Sequence, residues 1–259
     1  MECSTKVFVE GALGLKAQMA SSAACLIVAF WGENLKNPKK LTGTLSILDK
    51  ASQGAISRAV ILGDLDAKAG SSLLINSTDS WASEGLKVER LILLSLGELP
   101  KTGKSEKTKL EGLSKAFQSG LKTLLATQAK DALWVFDELS VKDGLSQARL
   151  LVQLAREQVY KFGARHAQFK TKPVEKASQL KKLTIAANAK NAKGLQQAVL
   201  EGQAIASGMD LTKDLGNLPP NICTPTYLAQ TAKKLGKDFG FKVEVLGRKE
   251  IEALKMGAF

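Results

Sequence analysis

Short runs of large apolar residues recur along the first 190 residues, and the stretches between them carry helical periodicity. This alternation constrains the fold more than any other feature of the chain. Cys25-Leu26-Ile27-Val28-Ala29-Phe30-Trp31 is apolar without interruption, the pattern of a strand covered on both faces. Ser72–Asn76, Leu91–Leu96 and Ala132–Phe136 read the same way, and Lys6–Val9 and Leu183–Ala186 are shorter strand candidates. Leu45–Leu62, Leu110–Leu125 and Leu145–Phe162 instead space their apolar residues by three and four, so each predicts an amphipathic helix. Strands separated by helices of this length predict an α/β layer fold with a mainly parallel or mixed sheet flanked by helices.

The remainder of the chain is organised differently. Between Phe162 and Leu183 it is basic, contains Pro173 and is poor in large apolar residues, which predicts an exposed connector. Ala192–Leu215 predicts one long connecting helix, with Leu195, Val199, Gly202, Ile205, Ala206, Met209 and Thr212 at helical spacing and small residues that let a neighbour approach closely. Gly216 suits the left-handed position after a helix, and Pro219-Pro220 prevents continuation. Thr224 and Pro225 form an N-cap and first-turn pair that opens a helix to Phe239, with Gly240 past its end. Phe241–Leu246 alternates as a strand, and Arg248–Lys255 begins another helix. The division expected is an N-terminal α/β domain over 1–188, a connecting helix over 189–216 and the start of a second α/β domain over 217–259, too short to bury a core alone.

Composition excludes several classes of function. Apolar residues make up 44% of the chain with a mean hydropathy of −0.04, and no apolar run reaches membrane-spanning length. Met1-Glu2-Cys3-Ser4 is not the start of a secretion signal, so a cytoplasmic location without membrane association is expected. Cys3, Cys25 and Cys223 are far apart and form no CxxC pair, and His166 is the single histidine. A zinc site of His and Cys, a disulfide framework and a Ser–His triad all lack their residues. No Asp/Glu cluster has metal-ligand spacing, so neither a catalytic nor a metal-binding residue is expected in this chain.

The net charge of +12 is unevenly placed. Lys161–Lys193 holds nine Lys/Arg against the single acid Glu175, and Lys101–Lys130 holds seven Lys against Glu106 and Glu111. Most such runs are solvated faces, but a cluster of this density also attracts polyanions. Lys170, Lys172, Lys176, Lys181 and Lys182 are the candidate contacts to duplex DNA, through phosphates and without base readout. A different site is suggested by Gly97-Glu98-Leu99-Pro100-Lys101-Thr102-Gly103-Lys104-Ser105, which follows a strand and precedes a helix as a phosphate-binding loop does. Five residues rather than four separate Gly97 from Gly103, and Glu98 puts negative charge beside any phosphate, so a nucleotide-binding role is disfavoured.

One stretch carries a family signature. Lys213-Asp214-Leu215-Gly216-Asn217-Leu218-Pro219-Pro220-Asn221, with Ala204–Gly208 before it and Thr224-Pro225, Tyr227-Leu228-Ala229 and Leu254–Ala258 after it, resembles the opening of the catalytic domain of the leucine aminopeptidase family, the dinuclear-metal cytosolic aminopeptidases. Glu89–Gly97 and Gln158–Phe162 fit the same family more weakly. The resemblance implies a macro-domain-like N-terminal sheet, a connecting helix and a peptidase domain. It further implies homohexamers that remove N-terminal residues from peptides, leucine among them, with two zinc or manganese ions that polarise the carbonyl and supply hydroxide. The metal-ligand motifs of that family, the Asp-x-Gly-Gly and Asn-Thr-Asp-Ala-Glu-Gly-Arg types, do not occur in this sequence. The chain is therefore expected to be the N-terminal portion of such an enzyme, inactive alone; the other readings are a non-enzymatic DNA-binding or assembly module and the disfavoured nucleotide binder.

Overall fold

All six residues of Cys25–Phe30 are buried, as an uninterrupted apolar strand requires. A computed structural model of the chain describes residues 1–7, 23–76, 87–99, 106–136, 141–169 and 178–258. They form two compact units, Met1–Lys161 with Glu175–Asp210, and Phe162–Val174 with Leu211–Phe259.

The first unit is built on β1 (Glu2–Val7), β2 (Cys25–Phe30), β3 (Ser72–Asn76), β4 (Arg90–Ser95), β5 (Asp131–Phe136) and β6 (Lys182–Ala187). These form one mixed sheet in the order β1-β6-β5-β2-β4-β3, parallel throughout except that β3 runs antiparallel to β4. The alternation of side chains along β2 sorts the core into two layers. Ile27 and Ala29 join Ile92, Leu94, Trp134 and Ile185 beneath three helices, α3 (Glu106–Leu125), α4 (Val141–Val159) and α6 (Ala192–Asn217). Leu26, Val28 and Phe30 join Leu91, Leu93, Leu133 and Val135 on the opposite face, against α1 (Gly43–Ala51) and α2 (Ala55–Leu62). The predicted α/β layer fold with a mixed sheet is the observed one. The Lys6–Val9 strand lies earlier than expected, at Glu2–Val7, and residues 8 and 9 fall outside the described residues.

The single helix expected over Leu45–Leu62 is two. Gln53 and Gly54 both take positive φ, 52° and 81°, a conformation that glycine alone adopts without strain. The Asp49 carboxylate then caps the new helix start, accepting the Ser57 amide at 2.8 Å and the Ser57 hydroxyl. The apolar stripe is continuous across this break, which is why periodicity alone merges the two helices.

α4 and α6 lie in close contact at Gly202. A Cβ there would sit 2.9 Å from the Arg149 carbonyl oxygen and 2.9 Å from the Val152 Cβ, so only glycine fits. Two ion pairs fix the register, Arg149 to Glu201 at 3.3 Å and Arg156 to Asp210 at 2.8 Å, and Gln203 donates to the Cys3 carbonyl at 2.8 Å.

In the second unit, α5 (Phe162–Arg165) and the end of α6 come before α7 (Pro225–Phe239) and α8 (Arg248–Ala253). Gly216 is not the expected cap. It stays helical and α6 runs to Asn217, because Asn217 donates its side-chain amide to the Lys213 carbonyl at 2.7 Å and Leu218 donates its amide to the Asp214 carbonyl, until Pro219 stops the turn. The start and end of α7 are as expected: Thr224 Oγ1 accepts the Tyr227 amide and Gly240 has φ 74°. Phe241–Leu246 is not a strand. Pairing needs a neighbouring strand, and among the described residues none lies beside it.

Candidate functional site

Parallel strands bring the residues at their starts to one edge of a sheet. Here the register sets Cys25 beside Arg90 and Asp131 beside Lys182. Ala24, Glu89, Arg90, Gln128, Lys130, Asp131, Lys181 and Lys182 line an open cleft of about 560 Å³ along that edge. Its backbone is held firmly. Lys181 and Lys182 both donate to the Lys130 carbonyl, at 2.6 and 3.2 Å, and the Glu2 amide donates to the Lys181 carbonyl at 2.8 Å. The acids are engaged locally, Asp131 accepting the Ala24 amide at 2.7 Å and Glu89 pairing with Arg90 at 2.7 Å. Lys130, Lys181 and Lys182 are exposed, which leaves the cleft positive.

Of the five lysines singled out in the sequence, Lys181 and Lys182 therefore share one cleft, while Lys170, Lys172 and Lys176 lie outside the described residues. Arg90 and Lys130 join that cleft without having been selected, because only the sheet register brings β4, β5 and β6 to a common edge.

His166 is packed rather than loose on the surface. Its ring lies 4.8 Å from Phe162 and 6.2 Å from Phe169, and Nε2 is 3.4 Å from Asp214 Oδ1. Asp214 Oδ2 takes Arg165 at 3.0 Å, so the segment after α4 is clasped to the end of α6 within the second unit. The two buried thiols are poor nucleophiles at neutral pH, since burial pushes Cys3 up to about 11 and Cys25 up to about 12. Gly97 donates its amide to Ser95 Oγ at 3.2 Å, and Leu99 donates to both carboxylate oxygens of Glu33 at 3.1 Å. Those amides, which a phosphate-binding loop needs free, already serve protein acceptors, one a carboxylate; residues 100–105 lie outside the described residues. Among the described residues no group of three or more His, Cys, Asp or Glu side chains is placed to hold a metal ion.

Comparison with known proteins accounts for both units. Residues 27–173 match the family model of the cytosol aminopeptidase family, N-terminal domain, and residues 210–259 match the model of the same family's catalytic domain. The probable cytosol aminopeptidase of Ralstonia pickettii (strain 12J) is 40% identical over 100% of this chain and 48% of its own length. The corresponding protein of Cupriavidus metallidurans is 37% identical over 100% of this chain and 49% of its own. The chain thus spans about half the length of the curated relatives it matches. In fold it resembles a tomato leucine aminopeptidase mutant, with TM-score 0.70 at 19% identity over 98% of this chain and 47% of that one. The bottromycin maturation enzyme BotP in complex with Mn aligns with TM-score 0.53 at 16% identity over 85% of this chain and 37% of its own. The chain belongs to the cytosol aminopeptidase family and carries its N-terminal domain followed by the start of its catalytic domain.

Proposed function

We propose that this chain is the N-terminal portion of a leucyl aminopeptidase, whose intact form removes N-terminal residues from peptides at a pair of divalent ions, zinc or manganese, as a cytoplasmic homohexamer. The observation that carries this reading is the succession of the two family matches, 27–173 and then 210–259, in one chain. Residues 1–188 serve as the N-terminal domain, 189–216 as the connecting helix and 217–259 as the opening of the peptidase domain. Among the described residues no group of three or more His, Cys, Asp or Glu side chains offers a donor set for a metal pair, and no step of the reaction is assigned to them. The ligands are assigned to the part of the catalytic domain by which the relatives exceed this chain.

The test is a chimera in which residues 1–259 are joined to the remaining half of the Ralstonia pickettii relative. It is expected to hydrolyse leucine p-nitroanilide in a manganese- or zinc-dependent manner. A chimera that folds cooperatively yet cleaves no aminoacyl anilide counts against the reading.

A second reading, weak binding of duplex DNA, is favoured by the cleft itself, where Lys181 and Lys182 sit with Lys130 and Arg90 along one sheet edge. Phosphate neutralisation releases counterions, so five lysine contacts at Lys170, Lys172, Lys176, Lys181 and Lys182 give a slope of log K against log salt of about −4.5. Changing all five to Gln is expected to abolish the gel shift seen at low salt. Equal binding by parent and variant, or none by either, leaves these lysines as a solvated face.

A further inference from the structure

Four cations and two carboxylates line the cleft at the edge where β2, β4, β5 and β6 begin. Both carboxylates are committed, Asp131 to the Ala24 amide at 2.7 Å and Glu89 to Arg90 at 2.7 Å. Lys130, Lys181 and Lys182 are left over. No carboxylate of a described residue lies within ion-pair distance of any of the three.

Ammonium groups gathered without a counter-charge repel one another, and a loose surface would let them separate. Here their backbones are tied together. The Lys181 and Lys182 amides both donate to the Lys130 carbonyl, at 2.6 and 3.2 Å, and Lys182 stands opposite Asp131 in the β5–β6 register. The fold thus holds three unpaired positive side chains around one concave site.

The lining indicates what chemistry would fill it. The volume of about 560 Å³ lies within the range of small-molecule sites, about 300–1,000 Å³. Among the described residues no aromatic ring lines the cleft, so it offers a nucleobase nothing to stack on. Lysine ammonium groups are point charges suited to phosphate oxygens, and Arg90 and Gln128 add N–H donors. A duplex spreads its charge along its axis, one negative charge per about 1.7 Å. This cleft gathers its cations at a single strand junction, which favours an anion whose charges are equally concentrated.

We infer that the cleft is a binding site for a compact phosphoanhydride, a pyrophosphate or triphosphate group, with Lys130, Lys181 and Lys182 as its cationic contacts. It is distinct from the Gly97–Ser105 loop, which follows the end of β4, whereas the cleft lies at that strand's start. The inference rests on neither the peptidase nor the duplex reading, and it shares only Lys181 and Lys182 with the latter.

Titration calorimetry of the 259-residue chain with sodium pyrophosphate, at low salt and without divalent ions, is expected to give a dissociation constant on the order of 0.1 mM. Lys130→Gln with Lys181→Gln and Lys182→Gln is expected to weaken binding about a hundredfold. Lys170→Gln with Lys172→Gln and Lys176→Gln is expected to change it by less than about twofold. Asp131→Asn keeps an oxygen for the Ala24 amide and removes a negative charge, so binding is expected to tighten about threefold. Backbone amide signals of residues 128–131 and 181–182 are expected to shift on titration. ATP is expected to bind within about threefold of tripolyphosphate, because its base finds no stacking partner. Citrate is expected to bind more weakly than pyrophosphate, since its carboxylates are spread over a flexible skeleton.

Neither heat nor shift up to about 10 mM pyrophosphate overturns the inference. So do shifts centred elsewhere, a triple variant at Lys130, Lys181 and Lys182 that binds as the parent does, or weaker binding by Asp131→Asn. Citrate bound as tightly as pyrophosphate, or a gain above about tenfold from the adenosine of ATP, overturns the assignment to the phosphoanhydride itself. Duplex DNA bound by a protein that ignores pyrophosphate overturns this inference and leaves the duplex reading standing. Pyrophosphate bound at the cleft by a protein that shifts no duplex does the reverse.

Discussion

Trp134→Ala is expected to lower the unfolding free energy by about 4 kcal/mol, the cost of emptying a large aromatic site in a rigid core. Trp134 is wholly buried at the middle of β5, where it meets Phe117 edge-on at 5.7 Å and Phe136 at 6.1 Å. Gly120 on α3 lies against the same ring, its Cβ position 3.3 Å from the Trp134 Cη2, so α3 is as close to β5 as backbone allows. The indole carries one cost of its own. Its Nε1 is buried with no hydrogen-bond partner among the described residues, and an unsatisfied buried donor costs about 1–3 kcal/mol. Trp134→Phe removes that donor and keeps a ring in the site, so its net cost is expected to stay below about 1.5 kcal/mol. Urea titration of parent and both variants measures the difference. Equal losses for Ala and Phe would show that ring packing is not what holds α3 to the sheet.

Asp210→Ala is expected to cost about 3 kcal/mol, because it leaves the Arg156 guanidinium desolvated without its carboxylate. The side chains of Asp210 and Arg156 are 8% and 20% exposed and 2.8 Å apart. Glu201→Ala, on the same helix, is expected to cost less than about 1 kcal/mol. Its pair with Arg149 is 3.3 Å long, with both side chains about two-fifths exposed, so water replaces the lost partner. The two variants share a helix and a type of interaction and differ in burial. A loss at Glu201 equal to that at Asp210 would contradict the distinction between them.

The two central strands were legible in the sequence because a doubly covered strand is apolar along its middle, and Cys25–Phe30 and Leu91–Leu94 are buried accordingly. The break at Ser52–Gly54 was not, since both flanking helices keep one apolar face and only the backbone turns. Gly216 misled because the nearby Asn217 and Pro219 set the end of the helix instead. Phe241–Leu246 has a strand's alternation, but a strand is a property of two segments, and sequence shows only one. The same limit governs the basic cleft. A run of lysines is visible in the chain, whereas the arrival of Arg90 and Lys130 beside Lys181 depends on parallel register. The pairing of Arg156 with Asp210 is likewise set by the close seat of Gly202 on α4 and not by any local spacing. The family was legible because Asn217-Leu218-Pro219-Pro220-Asn221 and its flanking helices occur together and in order, and matches over 27–173 and 210–259 followed.

The most direct measurement is hydrolysis of leucine p-nitroanilide by purified residues 1–259 alone, with manganese or zinc added and with a metal-only blank. If the chemistry resides in the part of the catalytic domain by which the relatives exceed this chain, the rate equals the blank at every protein concentration. Metal-dependent turnover that rises in proportion to protein would place the reaction in this chain and contradict that assignment.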